Sequence, residues 1–390
     1  MPDLITSILL LLVVAIGLGT IFNNFGLPEV VGAIIAGILL GPAVSSIILP
    51  SSELSTISLL ALFFIILQIG IEASSDIFSK NIKYVTGFAL TSFLVPFLIM
   101  SAGSMFIFNL SYLGAISVSL SVSIPSISIT SVLLVRSGLI KMDDGLRLLG
   151  GVAMSDTIAF IIFVSFHRPV STIIVVSTSL AIFMVLLYFL DVFLKARSER
   201  IRSRFDKLST SQKESLIFAA VILMGLGVSS LFEYIGITFV LGAFFSGLII
   251  HQNSVGEETY GVLKRTFQRI NSSFFIPLFF SISGLEMTLI PVSLIPYLVF
   301  LVAVTASIGG FAAYQFSKRY MKDITPRVSL GIFGGRGAVG IIIASIALSK
   351  SFIDATYYSV AIFATIVMAL SFTFIFESSL KKMEKSSATQ

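Results

Sequence analysis

Residues 26–40 read GLPEVVGAIIAGILL, and residues 236–250 read GITFVLGAFFSGLII. The two stretches share glycine at their first, seventh and twelfth positions, at an offset of 210 residues. A second pair, Gly70-Ile71-Glu72 and Gly284-Leu285-Glu286, recurs at an offset of 214. Small residues at this spacing are common helix-packing faces in membranes, which would explain either stretch alone. Because the acidic motif recurs at nearly the same offset, the sequence predicts an internal duplication.

The composition is that of a membrane protein. Of 390 residues, 56% are hydrophobic and 12% are charged, whereas a soluble domain has about 25% charged residues. So few charges cannot cover a soluble surface of this size, which excludes a soluble enzyme and a nucleic-acid-binding protein. The chain has no cysteine, and its two histidines, His167 and His251, cannot form a three-histidine zinc site.

Thirteen apolar runs follow one another, most of them close to the roughly 20 residues that a helix needs to cross a bilayer. The sequence therefore predicts an all-α polytopic membrane protein that forms a single transmembrane domain over residues 1–390. The runs are 4–22, 28–48, 54–71, 84–108, 113–135, 146–166, 169–193, 214–234, 237–251, 267–285, 291–317, 327–349 and 353–378.

The basic residues set the orientation of these runs. With the N-terminus outside, the inner segments carry 22 of the 25 Lys and Arg residues. Outer loops keep Arg168 and Lys350, and Arg336 falls inside an apolar run. One missed helix would scramble this bias, so the sequence predicts thirteen helices with the N-terminus outside and the C-terminus in the cytoplasm.

The repeat offset spans seven runs, an odd number, so the second copy is expected to be inverted relative to the first. Two six-helix copies, residues 4–166 and 214–378, joined by a linker helix at 169–193, account for all thirteen runs. Inverted repeats are typical of secondary transporters, whose substrate site lies at mid-membrane between the copies.

Two runs carry helix-breaking residues at matching places. Pro125 removes a backbone donor and frees a carbonyl near the centre of run 113–135. At an offset of 211 from Pro125 stands Arg336, within Gly334-Gly335-Arg336-Gly337, and glycines favour an irregular backbone. Alone, each feature fits a kink or tight packing. Paired by the repeat, they predict two crossed, broken helices, whose half-helix ends can hold a cation.

Asp156 lies at the midpoint of run 146–166. A charged Asp at the bilayer centre costs about 3 kcal/mol, so a task is expected for it. Its carboxyl can bind a proton or, when ionised, a monovalent cation; a helix-to-helix hydrogen bond or an ion pair with Arg336 is the alternative. The predicted co-ligands are hard oxygen atoms of Ser155, Ser126 and Thr130 and freed carbonyls near Ile124 and Pro125.

These residues resemble a known family. Ser155-Asp156 in a glycine-rich helix is similar to the paired Asp-Asp, Asn-Asp or Gln-Asp of monovalent cation:proton antiporters. Residues 26–40, Gly70-Ile71-Glu72 and the stretch from Arg336 to Gly340 also resemble segments of that superfamily. The resemblance spans residues 10–375 and is nearest to the Kef-type and NapA-type branch of the sodium/hydrogen exchangers.

The resemblance implies an NhaA-like antiporter fold and a homodimer in the plasma membrane of a prokaryote. It implies exchange of a monovalent cation, Na⁺ in the first place and K⁺ as the alternative, for H⁺ by alternating access. Asp156 would be the ion and proton site. No enzyme activity, cofactor, nucleotide or nucleic acid is expected.

The sequence also departs from family patterns. Ser155 stands where the electrogenic branch has a second acid. That branch also carries a lysine in the tenth helix, but residues 279–284 of this chain hold none. With a single acid at the crossing, we expect electroneutral, one-for-one exchange. Gly151 stands where other branches have the glutamate that pairs with the arginine, so Arg336 is predicted to be a structural charge held by half-helix carbonyls.

Other readings stay open at this point. Glu72 and Glu286 are candidate funnel acids that attract cations, or equally interfacial anchors. A cation channel or gated leak could use the same fold. A proton-coupled carrier of an organic solute would need more polar groups at the crossing.

Overall fold

A computed structural model describes residues 2–25, 27–73, 83–84, 86–125, 130, 133–134, 137, 139, 142–166, 210–234, 239–248, 250, 256–334 and 336–387. Every regular element in these ranges is helical, and one isolated backbone bridge joins Pro125 to Arg336. The predicted linker helix at 169–193 lies outside them, so the count of thirteen helices stays a prediction.

Most of the described helices follow the apolar runs. In chain order they are α1 (Leu4–Asn24), α2 (Glu29–Leu40), α3 (Ser52–Ala73), α4 (Thr86–Phe106), α5 (Tyr112–Ser123), α6 (Asp143–Phe166), α7 (Thr210–Tyr234), α8 (Phe239–Leu248), α9 (Glu257–Ile270), α10 (Ile276–Leu285), α11 (Val292–Tyr320), α12 (Pro326–Phe333), α13 (Ala338–Ser349) and α14 (Ala355–Ser387).

Six of these helices, within the part of the chain that the structure describes, are long and apolar enough to cross a membrane. They are α1, α3, α4, α7, α11 and α14. The apolar helices α2, α5 and α13 are shorter. The length and composition of these helices are those of a multi-pass membrane protein.

Several helix boundaries differ from those of the apolar runs. The run at 28–48 predicts a longer helix than α2, which ends at Leu40 because Gly41 is extended (φ −86°, ψ −177°) and precedes a proline. A proline disfavours the helical conformation of the residue before it. The basic residues Lys264 and Arg269, assigned to an inner loop by the charge count, lie on α9. A π-helical turn at Asn271–Phe275 joins α9 to α10.

Two further π-helical turns interrupt the long helices. One occupies Leu90–Leu94 within α4, and the other occupies Thr305–Gly309 within α11. Such turns accommodate one extra residue and locally widen the helix. Their first residues are 215 positions apart, close to the offsets of the sequence repeat.

The chain divides into two compact units. The larger unit comprises Met1–Ser55, Ile77–Phe163 and Phe280–Gln390, and the smaller unit comprises Thr56–Asp76 and Val164–Phe279. In the larger unit, a Cβ atom on Gly32 of α2 would lie 2.6 Å from the Gly19 nitrogen of α1. A Cβ atom on Gly37 would overlap the Ser281 carbonyl oxygen of α10. Glycine therefore lets α2 approach both neighbours closely.

The smaller unit contains the counterpart contacts. A Cβ atom on Gly242 of α8 would overlap the backbone of Ser229 of α7. A Cβ atom on Gly247 would overlap the Leu67 carbonyl oxygen of α3 and lie 2.8 Å from the Gly70 Cα atom. Each unit thus packs a short, glycine-containing helix closely against two neighbouring helices in the same way.

Candidate functional site

The first helix break follows α5. The Ser111 hydroxyl caps the start of this helix by accepting a hydrogen bond from the Gly114 N–H at 3.2 Å. The helix ends at Ser123, and Ile124 is extended (φ −78°, ψ 123°). Pro125 explains this end, since it lacks an N–H and disfavours a helical residue before it.

The second break separates α12 from α13. Gly334 ends α12, and Gly337 is extended (φ 178°, ψ −122°) before α13 begins at Ala338. Between them, Arg336 pairs through its backbone with Pro125 in an antiparallel bridge. The two residues that the repeat aligns in sequence are therefore in direct contact.

Arg336 is fully buried at this crossing. Its Nη1 donates a hydrogen bond to the carbonyl oxygen of Ser123, the last residue of α5. The guanidinium carbon lies 4.3 Å from the centroid of the Phe333 ring. A helix C-terminus carries partial negative charge and an aromatic face attracts cations, so both contacts stabilise the charge. Among the described residues, Nε and Nη2 have no hydrogen-bond partner.

An aromatic side chain fills the space beside Gly151. A Cβ atom on Gly151 would lie 2.5 Å from Cδ1 of Phe88. The Phe88 ring in turn meets the edge of Phe333 at 6.3 Å between centroids, and Phe333 is the ring beneath Arg336. In this chain, the volume next to Gly151 is occupied by a ring rather than by a carboxylate.

Buried hydroxyl groups lie on α5 and in the segment of sequence that follows it. The Ser119, Ser121 and Thr130 hydroxyls are buried and have no hydrogen-bond partner among the described residues. Ser123 donates its hydroxyl proton to the Ser119 carbonyl at 2.5 Å. Because a partnerless buried hydroxyl is costly, these oxygens are available to a ligand.

The predicted ion-binding residues are partly described. Asp156 and Ser155 lie on α6, and the buried Ser155 hydroxyl donates to the Gly151 carbonyl at 2.9 Å. The lone pairs of its oxygen remain able to coordinate a cation. The Asp156 side chain lies outside the described side chains, and Ser126 lies outside the described residues.

The structure describes the side chain of one of the two candidate funnel acids. Glu72 lies near the end of α3, but its side chain is outside the described side chains. Glu286 is the first residue after α10, and its half-buried carboxyl has a pKa raised to about 7 by desolvation. At neutral pH, this carboxyl is therefore near the midpoint of its titration.

The sequence matches a known protein family over nearly its whole length. The family model for "Sodium/hydrogen exchanger, transmembrane" matches residues 8–382. The chain belongs to this family. One relative of this exchanger-family protein is the Na(+)/H(+) antiporter of Enterococcus hirae. The two are 28% identical over 392 residues, which cover 97% of this chain and 98% of that protein.

Another relative and a solved structure agree with this assignment. The Na(+)/H(+)-K(+) antiporter GerN of Bacillus cereus is 24% identical over 90% of either chain. The structure of the sodium proton antiporter MjNhaP1 from Methanocaldococcus jannaschii at pH 8 matches with a TM-score of 0.69 and 14% sequence identity, over 97% of each chain. At that identity, the match shows that the exchanger-family chain has the fold of MjNhaP1.

The sequence of this exchanger-family protein did not predict the aromatic surroundings of Arg336. Phe333 is three residues before the arginine and Phe88 is far away along the chain, in a sequence with 36 phenylalanines. Nothing in the pattern distinguishes these two from the others. Ser119 carried a weak signal, because Ser117, Ser119, Ser121 and Ser123 alternate along the run that leads to the break.

Proposed function

We propose that this chain is a secondary antiporter that exchanges a monovalent cation for H⁺ across a membrane. The observation that carries the proposal is the contact between two helix breaks at Pro125 and Arg336, in the unit that also contains the Asp156 helix. Family membership supports it, since the Enterococcus hirae relative is named a Na(+)/H(+) antiporter. GerN is named a Na(+)/H(+)-K(+) antiporter, so Na⁺ leads as the substrate and K⁺ is the alternative.

In this proposal, a proton and a cation compete for the Asp156 carboxylate. Among the described residues, the buried hydroxyls of Ser121 and Thr130 have no hydrogen-bond partner, which supports a cation site near the α5 break. Ser155 and Ser126 and the carbonyls near Ile124 and Pro125 complete the proposed ligands. Hydroxyl, carbonyl and carboxylate oxygens are hard donors suited to alkali cations, as they are to Ca²⁺ and Mg²⁺.

Arg336 has a different role in this proposal. Its permanent charge faces the end of α5 and the Phe333 ring, which holds the crossing together. It does not gain or lose a proton during exchange. Only Asp156 changes its occupant, so each cycle returns one proton for one cation and moves no net charge.

The finer fold proposal is two inverted six-helix copies, residues 4–166 and 214–378, joined by a linker helix at 169–193. Three relations support it. The close contacts of Gly32 and Gly37 recur at Gly242 and Gly247. The residues that these glycines contact are also related by the repeat offset. The π-helical turns and the two helix breaks follow similar offsets.

Alternating access, a homodimer, and a plasma membrane location with the N-terminus outside complete the proposal. They rest on the charge bias of the loops and on the family resemblance. Lipid surrounds the helices, and Na⁺ or K⁺ and H⁺ are the transported species, with no cofactor.

The test is a flux assay with the purified protein in proteoliposomes that contain a pH-sensitive fluorophore. With the membrane voltage clamped, Na⁺ or K⁺ added outside should dissipate an imposed pH gradient. A cation current without proton movement would show that the protein is a channel and not an antiporter. Proton movement that needs an organic solute would show that the protein is a proton-coupled solute carrier. Comparing Na⁺, K⁺ and Li⁺ in the same assay identifies the cation.

A further inference from the structure

A buried carboxylate lies in the first turn of α6, away from the crossing. The Asp144 side chain is 1% exposed. Its Oδ2 accepts hydrogen bonds from the backbone N–H groups of Lys322 at 2.6 Å and Asp323 at 2.7 Å. Its Oδ1 accepts a hydrogen bond from Nη1 of Arg147 at 2.9 Å. Charge-assisted hydrogen bonds of this length are about twice as strong as neutral ones.

This carboxylate connects the two helices that lead to the crossing. Asp156 lies twelve residues further along α6, or about 18 Å at the rise of an α-helix. Lys322 and Asp323 lie in the short segment between α11 and α12, and α12 ends just before Arg336. Asp144 therefore binds the beginning of one helix to the segment that starts the other.

Aromatic contacts extend the connection to a third segment. The Arg147 guanidinium lies 4.9 Å from the centroid of the Tyr84 ring. Tyr84 also contacts Tyr320, at the end of α11, with 5.8 Å between ring centroids. The beginning of α6, the end of α11 and the segment before α4 thus meet around one ion pair.

The neighbouring acid shows that this arrangement is specific. Asp143 stands one residue earlier in the same first turn, and it is exposed. An acid in a first helical turn stabilises the helix through the dipole wherever it points, so both residues can do that. Asp144 alone of the two is buried and accepts hydrogen bonds from a distant segment.

We infer that Asp144 is a positioning residue that clamps α6 to α12, so that Asp156 and Arg336 keep a fixed separation and move as one body during exchange. The inference rests on the proposed function, because it assigns those two residues to the exchange site. It adds a residue that touches neither ion. Without the clamp, the site would sample misaligned geometries, and cation binding would weaken more than the maximal rate falls.

The first test measures cation dependence in proteoliposomes for Asp144→Ala, Asp144→Asn and Arg147→Gln, with Asp143→Asn as the matched control. Since misplacement by about 1 Å can cost up to about 100-fold, we expect the half-saturating Na⁺ concentration to rise about tenfold in Asp144→Ala. Arg147→Gln keeps the two backbone bonds and should give a smaller rise. Asp143→Asn should match the parent.

The pH profile separates positioning from simple loss of stability. Cation and proton compete for a deprotonated site, so cation affinity depends on pH. A tenfold weaker cation site requires a tenfold lower proton concentration for the same occupancy, which moves the acidic limb of the profile up by about one pH unit. A protein that has only lost stability would show less active material with an unchanged pH profile.

The second test measures the clamp itself and does not depend on transport. Because the sequence contains no cysteine, Met142→Cys and Arg327→Cys can carry spin labels at two exposed positions near the starts of α6 and α12. The parent and Asp143→Asn should give one narrow distance distribution, and Asp144→Ala a broad or second one. If Asp144→Ala does not accumulate, Asp144→Asn and Arg147→Gln provide the same comparison.

The outcomes distinguish the two proposals. Unchanged label distances together with a half-saturating concentration within about twofold of the parent would overturn the clamp. A parent protein without any cation-dependent proton flux would overturn the antiporter function, whatever the label distances show. A broadened distance distribution with an unchanged pH profile would reduce Asp144 to a structural residue.

Discussion

Arg336 is a buried charge that the protein holds without a described carboxylate partner. The carbonyl at the end of α5 and the Phe333 ring provide its two observed contacts. The half-helix carbonyl was predictable, because Pro125 exposes the end of α5 and an arginine needs acceptors. The ring was not, because aromatic contacts depend on which side chains the fold brings together.

Arg336→Ala should lower the stability of the protein. Removing the side chain leaves the Ser123 carbonyl without its donor and opens a cavity, at a combined cost of about 3 kcal/mol. Thermal unfolding in detergent measures the effect. Arg327→Ala, an exposed arginine on the same α12, is the control and should leave the midpoint unchanged. Equal midpoints for Arg336→Ala and the parent would refute the structural role.

Glu286→Gln should change cation affinity only in alkaline solution. The pKa of Glu286, raised to about 7 by burial, means that the carboxyl becomes charged as the pH rises through neutrality. If it attracts cations, the half-saturating Na⁺ concentration of Glu286→Gln should exceed that of the parent at pH 8 and equal it at pH 6. Equal values at both pH values would favour the alternative of an interfacial anchor.

At the scale of the helices, the sequence predicts breaks better than ends. Proline at 125 and glycines around 336 act on their own backbone, so their effect is visible in the local sequence. The run at 28–48 misled the prediction of α2, since hydropathy counts apolar side chains and does not register the backbone preference before Pro42. Asp144 escaped notice for another reason: its partners at 322 and 323 are remote in sequence and are backbone groups.

The close helix contacts allow a matched substitution test. Gly247→Ala and Gly37→Ala would each place a methyl group against the backbone of a neighbouring helix, and overpacking of this kind costs about 1–3 kcal/mol. Gly227→Ala, on α7 of the same unit as Gly247, meets nothing within 4 Å. It should be neutral or slightly stabilising, because alanine favours the helix. The measurement compares the thermal unfolding midpoints of the three variants. An equal decrease in all three would show that the contacts of Gly37 and Gly247 are looser than described.

For the whole molecule, the apolar runs predicted an all-helical membrane protein, and the family resemblance implied an NhaA-like fold. The match to MjNhaP1 confirms the fold class. The orientation, the linker helix at 169–193 and the exact number of helices stay predictions. They depend on segments outside the described residues. The family assignment is independent of them, since it follows from residues 8–382 as a whole.

The proposed exchange site, with Asp156 as its one titrating acid, leads to a prediction for the complete transport cycle. If Asp156 carries either one proton or one cation, the cycle moves no net charge, and the voltage cannot drive it. A potential of 100 mV acts on a moved unit charge with about 2.3 kcal/mol. For a Na⁺ substrate, flux equilibrium measured at several voltages set by K⁺ and valinomycin should not shift. A shift matching two protons per cation would require a second titrating group, such as Glu72.

Competition at Asp156 is tested most directly by proton release from the purified protein in weakly buffered detergent solution. When Na⁺, or K⁺ if the flux assay selects it, is added to the parent protein at a pH where the site is protonated, we expect close to one proton to be released for each cation bound. Asp143→Asn should behave like the parent. Asp156→Asn, which can neither ionise nor change its protonation, should remain folded and release no protons. Cation-dependent proton release from Asp156→Asn at anything near the parent level would contradict the assignment of the exchange site.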